Sequence, residues 1–330
     1  MLTVHCLEVV TETVTPLELD RYCGSALRGA FFRAIWGRFC TNRESPTCRE
    51  CPLVMACPVS ALVAPLRDEA TRGHDVPRPY LISPPHKEKN SYGSGETFTF
   101  GFTLMGTSVK MFPYIIRSFQ EMEQTRLGHP LQELQGKRGQ IRVREVRTYH
   151  PLTGEREVLW ERGNTRPQRP RLCITHVDVA VHAKQLPLDH ITLDFLSPTR
   201  LISEQHLLQR PNFRVLMLRL TERLEQLQRE YGEGAISSSE GTEALISNRD
   251  RYLQVGTQAK EVRLVRDETH WIDVKSYSGR QRRTTPIGGL VGRASFEGDL
   301  THLRELLVWG EVLHVGKNVV KGGGQYCIEV

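Results

Sequence analysis

Residues 314–325 read HVGKNVVKGGGQ and run into a strand-like terminus over residues 325–330. Gly316 is followed after five residues by Gly322, Gly323 and Gly324. Glycine permits positive φ and close backbone approach, so a loop of this kind can turn its amides toward an anion. Lys317 and Lys321 add positive charge beside those amides. A P-loop is excluded, because the Gly-Lys pair is not followed by Ser or Thr and the loop leads into a strand. A dinucleotide fingerprint is excluded too, since no GxGxxG lies between a strand and a helix. Composition alone leaves a second reading open, that of a structural turn before a last strand.

Working outward, a helix over residues 301–308 precedes the loop. Strands are expected near 262–266, 271–277 and 290–296. A long amphipathic helix is expected over 212–231, with Val215, Leu216, Leu220, Leu224 and Leu227 at helical spacing. A Gly/Ser-rich loop over 233–243 follows it. Residues 172–183 and 191–196 read as strands that open this half. The first half has the same order: a strand over 2–10, a helix over 17–39, an alternating strand over 97–105 (TFTFGFTLM), a helix over 112–126 and a strand over 140–148, with a hairpin strand ending near Trp160. Residues 163–170 (GNTRPQRP) are polar and aperiodic and form the linker. The expectation is an α+β protein of tandem ferredoxin-like (RRM-like) domains, over 1–162 and 171–330.

At 330 residues the chain can hold two domains, each with its own core. No run approaches eighteen apolar residues, which excludes a membrane-spanning helix. The opening MLTVHCLEVV reads as a strand in place rather than a signal peptide, so the cytoplasm is the expected location. The formal charge of +6 is mild, but its distribution is uneven. Residues 136–147 carry Lys137, Arg138, Arg142, Arg144 and Arg147 against the single Glu145. Residues 280–293 carry Arg280, Arg282, Arg283 and Arg293 with no acid. Two such runs, one per half, suit a surface that tracks phosphates, although each alone also suits a solvated strand face.

Eight cysteines in such a chain argue against a disulfide framework. Cys6, Cys23, Cys173 and Cys327 sit singly among apolar residues and read as core thiols. Cys40, Cys48, Cys51 and Cys57 have the spacing C-x7-C-x2-C-x5-C among turn-forming prolines. That pattern fits tetrahedral thiolate ligation, with structural zinc first, an iron–sulfur cluster as the alternative held by the same ligands, and four unligated thiols as the remaining reading. It would make a Cys-rich metal-binding insertion in the N-terminal half. No catalytic metal is expected.

The glycine segment resembles the C-terminal Gly-rich loop of the RAMP superfamily, GhGxxxxxGxG with h hydrophobic. Val315 takes h, Gly316 the second glycine, Gly322 and Gly324 the last pair, and His314 stands where the first glycine would be. The longer stretches YSGRQRRTTPIGGLVGRASFEGDL (277–300) and YCGSALRGAFFRAIWGRFC (22–40), with the cysteines after it, resemble the CRISPR-associated endoribonucleases that process repeat (pre-crRNA) transcripts. What the resemblance implies is cleavage of CRISPR repeat RNA without metal. The ribose 2′-OH attacks the adjacent phosphate, leaving a 2′,3′-cyclic phosphate and a 5′-OH. CRISPR effector subunits are implied as further partners, and no membrane.

Such chemistry needs a base for the 2′-OH and cations for the phosphate. Many relatives place a histidine near the first helix; residues 22–40 have none, but contain Tyr22, Arg28, Arg33 and Arg38. His314 beside Lys317 becomes the catalytic candidate, with Tyr22 and Arg28 as partners across an interdomain cleft. RNA contacts are expected from Arg138, Arg142, Tyr277, Arg280, Gln281, Arg282, Arg283, Gly316, Lys321, Gly322, Gly323 and Gly324, with Tyr277 stacking on a base. His86 in PPHKEK reads as a surface loop residue, His176, His182 and His190 as strand or turn positions, and Trp271 as core. Two other functions share these features: a non-catalytic crRNA-binding RAMP subunit of an effector complex, and a metalloprotein scaffold whose cysteines mediate partner binding.

Overall fold

Burial alternates along Val4–Thr13 (β1), and this strand becomes the centre of the first sheet. The structure is a computed structural model and describes residues 1–65, 76–85, 89–233, 241–278 and 283–329. The chain divides into a first unit, Thr3–Cys173, and a second, Ile174–Val330 with Met1–Leu2.

In the first unit β1 is followed by the short strand Leu17–Glu18 (β2) and the helix Gly24–Phe39 (α1). The helix Pro58–Val63 (α2) and the strands Tyr80–Ser83 (β3), Ser91–Tyr92 (β4) and Thr97–Met105 (β5) come next. The helix Phe112–Glu121 (α3) and the strands Arg126–Leu131 (β6), Lys137–Tyr149 (β7) and Arg156–Glu161 (β8) complete it. The sheet order is β3-β5-β1-β7-β6, with β8 also on β7, all antiparallel. Four of its strands, β1, β3, β5 and β7, with α1 and α3 as the crossings, have the split βαββαβ order. Leu27, Ala30, Phe31, Ala34 and Ile35 give α1 a buried stripe at i, i+3, i+4 spacing. Phe31 lies 5.3 Å from Tyr80, 5.0 Å from Phe102 and 5.8 Å from Phe119, ring centre to ring centre, which locks α1 and α3 onto the sheet.

The second unit has the helix His176–Ala183 (α4) and the strands His190–Thr199 (β9), Ile202–Ser203 (β10) and His206–Leu207 (β11). The helices Phe213–Tyr231 (α5) and Gly241–Gln258 (α6) follow, then the strands Arg263–Asp267 (β12), His270–Ile272 (β13), Lys275–Ser278 (β14), Arg283–Pro286 (β15) and Gly289–Glu297 (β16). The helix Arg304–Leu313 (α7) and the strand Tyr326–Glu329 (β17) end it. The order β12-β16-β9-β17 repeats the plan, with α5 and α7 as crossings. The tandem ferredoxin-like architecture is therefore present in both units.

Several boundaries differ from the sequence reading. Residues 172–183 were expected as a strand, but His176–Ala183 is helical. Thr175 accepts from the Asp178 amide and Asp178 returns a bond to the Thr175 amide, a capping box that starts a helix. In a strand Val177, Val179, Val181 and Ala183 would share one face. Here Val179 and Ala183 are buried while Val177 and Val181 are exposed, the i, i+4 split of a helix. The first helix starts at Gly24, not residue 17, because Leu17–Glu18 pairs with Ser91–Tyr92. The strand expected over 271–277 is two strands, β13 and β14, and the helix expected over 301–308 is displaced to Arg304–Leu313. Residues 234–240 of the expected Gly/Ser loop lie outside the described residues, while 241–258 form α6 instead of ending that loop. Among the described residues, no helix is long and apolar enough to cross a membrane.

Candidate nucleic-acid interface

The glycine loop is built by close packing rather than by open amides. The amides of Val315, Lys317 and Gly324 donate to the carbonyls of Gly324, Arg200 and Pro198 at 2.9, 3.0 and 3.1 Å. Those of Lys321, Gly322 and Gly323 donate to Asn318, Val319 and Asn318 at 2.8, 2.8 and 3.2 Å. These amides are therefore not turned toward a bound anion, which corrects the expectation for the loop. Gly322, Gly323 and Gly324 are buried, whereas Gly316 is partly exposed. Gly324 has φ 73°, and a Cβ there would overlap the Val315 carbonyl, so only glycine fits.

His314 caps α7 through its amide, which donates to Gly310 O at 2.9 Å. Its φ of 57° and ψ of 169° lie in a region that is essentially glycine-only. This is the position at which the RAMP loop pattern has glycine. The side chain is only 2% exposed, so its ring packs in the interior and is not presented to a ligand.

What the loop does present is charge. Lys317 is exposed, and the Lys321 ammonium donates to Ser276 Oγ at 3.3 Å, tying the loop to β14. The β14–β15 hairpin sets Tyr277 opposite Thr284 and Ser278 opposite Arg283. Tyr277 is 63% exposed and Arg283 is exposed, so an aromatic face and a guanidinium stand on one solvent-facing hairpin. Arg280, Gln281 and Arg282 lie outside the described residues, as does His86. Arg200, which the sequence reading missed, joins these parts. Its carbonyl accepts from Lys317, its guanidinium donates to Gly288 O at 3.1 Å, and it lies 5.9 Å from the Trp271 ring centre. Trp271 is half-buried rather than core, with its indole N–H donating to Asp273 at 3.1 Å. The signal for Arg200 was its place at the end of β9, one residue beyond the last strand residue.

In the first unit the basic run is the exposed end of β7. Lys137 and Arg138 are exposed and Arg142 is half-buried. Arg144 and Arg147 are engaged by Glu12 and Glu8, at 2.8 and 2.6 Å. Tyr22 is half-buried in the turn before α1, 5.6 Å from the Arg21 guanidinium across its ring. Arg28 is half-buried on α1, beside the Tyr80 hydroxyl, whose titration burial pushes up. Tyr22 and Arg28 belong to the first unit, and His314 and Lys317 to the second. Of the other histidines, His176 and His190 are exposed and His182 half-buried.

The four clustered cysteines lie between α1 and α2. Cys40 ends α1, the Cys51 amide donates to Cys48 O at 3.3 Å, and Cys57 caps α2. The Cys40 thiol donates to Asn42 O at 3.5 Å and the Asn42 side-chain amide to Cys51 Sγ at 3.7 Å. Among the described residues, no three His, Cys, Asp or Glu side chains gather in a way that could hold a metal ion.

Residues 2–172 match the AF_1859_N N-terminal domain family. Residues 193–326 match the family described as CRISPR-associated endoribonuclease Cas6. Among solved structures, the chain is similar over its whole length to part of a Cas6-RT-Cas1–Cas2 complex, in its partial and full forms, with a TM-score of 0.57 and 14% identity to each. It spans 46% and 29% of those chains. It is also similar to a Thermus thermophilus Cas6 in a product complex, at 16% identity and TM-score 0.52, covering 99% of this chain and 100% of that one. No curated protein matches the sequence.

Proposed function

We propose that this chain, whose residues 193–326 match the CRISPR-associated endoribonuclease Cas6 family, binds CRISPR repeat RNA and cuts it within the repeat. The cut is a metal-independent transesterification giving 2′,3′-cyclic phosphate and 5′-OH ends. The observation that carries RNA binding is the second unit's hairpin, which bears exposed Tyr277 and Arg283 and is tied by Ser276 to Lys321 of the glycine loop, where Lys317 is also exposed. An aromatic face for a base with cations for the backbone is the arrangement that single-stranded or looped RNA needs. Arg138 and Arg142 of β7 supply a second cationic track in the first unit. Lys317, Tyr22 and Arg28 serve as phosphate or ribose contacts in this reading. His314 has a scaffold role, because a ring buried at a glycine-like backbone position shapes the loop. The cytoplasm, where repeat transcripts are made, is the site of action, and subunits of a CRISPR effector complex are the partners.

The test is a cleavage assay on repeat RNA in EDTA, with binding followed separately. Cleavage at one position with a cyclic phosphate end supports the reading. Tight binding without product favours a non-catalytic crRNA-binding subunit.

The zinc site stays a proposal from the C-x7-C-x2-C-x5-C spacing, supported by the Cys48–Cys51 turn, whose i, i+3 backbone bond closes a tight loop between the two cysteines. Metal analysis of the purified protein is expected to give about one zinc per chain, lost when Cys48 and Cys51 become serine. Iron in its place would make the site a cluster, and neither metal would remove it.

A further inference from the structure

The first unit holds a second constellation, formed by residues that neither the glycine loop nor the cysteine group involves. β6 and β7 pair Leu127 with Gly139 and Pro130 with Arg138. Gly128 and His129 are left as extra residues between those two pairs, a bulge that swings the histidine out of the ladder. Gly128 has φ +80°, and a Cβ there would overlap Glu18 O. Gly139 also lies too close to Pro16 O for a Cβ. These two glycines let the β6–β7 ribbon press on residues 16–18, which Leu17 and Glu18 anchor by pairing with Tyr92 and Ser91. The chain then reaches Asp20, whose Oδ1 lies 3.0 Å from His129 Nε2. Both side chains are exposed, at 47% for His129 and 67% for Asp20.

Three arginines surround the same ribbon. The Arg33 guanidinium of α1 donates to Arg126 O at 3.0 Å, and the Arg126 guanidinium donates to Arg138 O at 2.9 Å. All three are exposed, and among the described residues none forms an ion pair with a carboxylate. Partial desolvation, and after it the positive charge of Arg138, holds Arg33 below its usual range, as expected of cations gathered without a counterion. Such a set lacks an anion, and a phosphodiester is the anion of the proposed substrate.

We infer that His129, oriented by Asp20 and carried on the ribbon that also holds Arg126 and Arg138 and receives Arg33, is the proton-transfer centre that cuts the RNA. The inference rests on the proposed RNA cleavage and names the residues that perform it. With Nε2–H donating to Asp20, the free acceptor of the neutral ring is Nδ1. Nδ1 takes the proton of the ribose 2′-OH as the O2′–P bond forms and the P–O5′ bond breaks. The leaving O5′ takes a proton from solvent and the imidazolium returns its own, so the strand is isomerised to a cyclic phosphate and a 5′-OH with no net uptake of water. The arginines balance the second negative charge that the five-coordinate phosphate carries. Asp20 is a positioning residue and does not touch the RNA.

The experiment is single-turnover cleavage of a repeat RNA at saturating protein, with affinity measured in parallel on an RNA whose 2′-OH at the cut is removed. His129→Gln is expected to slow cleavage at least about 100-fold while affinity stays within about twofold. His129→Ala is expected to regain rate with added imidazole, a rescue that no merely structural role provides. Asp20→Asn is expected to slow the rate at unchanged affinity. Arg126→Gln with Arg33→Gln is expected to reduce both rate and the salt dependence of binding, and lysine at both positions restores the salt dependence. Wild-type rates in His129→Gln overturn the assignment even where the wild type cleaves. A wild type that binds but never cleaves fails at the earlier step, the nuclease reading itself, and takes this assignment with it.

Discussion

His129 and His314 each sit beside glycines that force the backbone into close contact, and the two settings send the rings in opposite directions. At His314 the neighbouring loop folds onto residues 198–200, its amides find carbonyls, and the ring is enclosed at 2% exposure. At His129 a bulge pushes the ring out of a two-stranded ribbon, toward Asp20 and into solvent. The same device, glycine against a carbonyl, builds a scaffold in one unit and presents a side chain in the other. A residue's neighbourhood in sequence therefore says less about catalysis than where its backbone aims it.

The comparison breaks most visibly at the histidines themselves. If the contrast holds, His129→Gln loses cleavage while His314→Gly keeps it within about threefold. The second substitution places glycine in a backbone region where a side chain costs about 1–3 kcal/mol. Equal rate losses in both variants would erase the distinction.

The next effect is on folding. Gly324→Ala must accommodate a Cβ that overlaps Val315 O at φ 73°, and is expected to cost about 3 kcal/mol or more in urea unfolding. Gly128→Ala faces the equivalent overlap with Glu18 O, but it lies at a bulge on the sheet margin. It is expected to cost less stability and more cleavage, because it moves His129 from Asp20. Stability loss with full activity in Gly128→Ala would contradict the positioning argument.

A third contrast is between buried and exposed acids. Glu311 accepts from the Ile328 amide at 2.7 Å, and burial pushes its carboxyl up to about 7 despite that bond. A raised folded value means that its contribution is intact below its ordinary value of 4.5 and is lost as pH climbs through about 7. Glu311→Gln is expected to match the wild type near pH 4 and to exceed it at pH 8 by something on the order of 3 kcal/mol in chemical unfolding. A variant equally offset at both pH values would show that the carboxylate is ionised throughout. The smallest effect belongs to Arg283, exposed on its hairpin. Arg283→Ala is expected to weaken RNA binding modestly and to lower the salt slope by about one, and an unchanged slope removes it from the interface.

Much of the architecture was legible because its signals are local. TFTFGFTLM alternates and is a strand at the residues expected, and Asn212 with its periodic leucines gives α5 almost to the residue. Where reading failed, two patterns overlapped. HVDVAVHA alternates as a strand would, yet Val179 and Ala183 are also four apart, and only the Thr175–Asp178 cap decides for a helix. The site was less legible. The motif HVGKNVVKGGGQ identified the family segment, but composition could not reveal that its amides face inward. Asp20 and His129 come together through register and a bulge, which no spacing rule encodes. The signal available for His129 was the Gly-His-Pro run just after the helix expected over 112–126, where glycine and proline mark broken pairing.

The most direct test of RNA cleavage without metal is single-turnover reaction of the wild-type chain with a repeat RNA in EDTA, followed by analysis of the product ends. The account expects one cut, a 2′,3′-cyclic phosphate on the upstream fragment and a 5′-OH on the downstream one. Saturated RNA that stays whole, or that is cut only when a divalent cation is added, would contradict it.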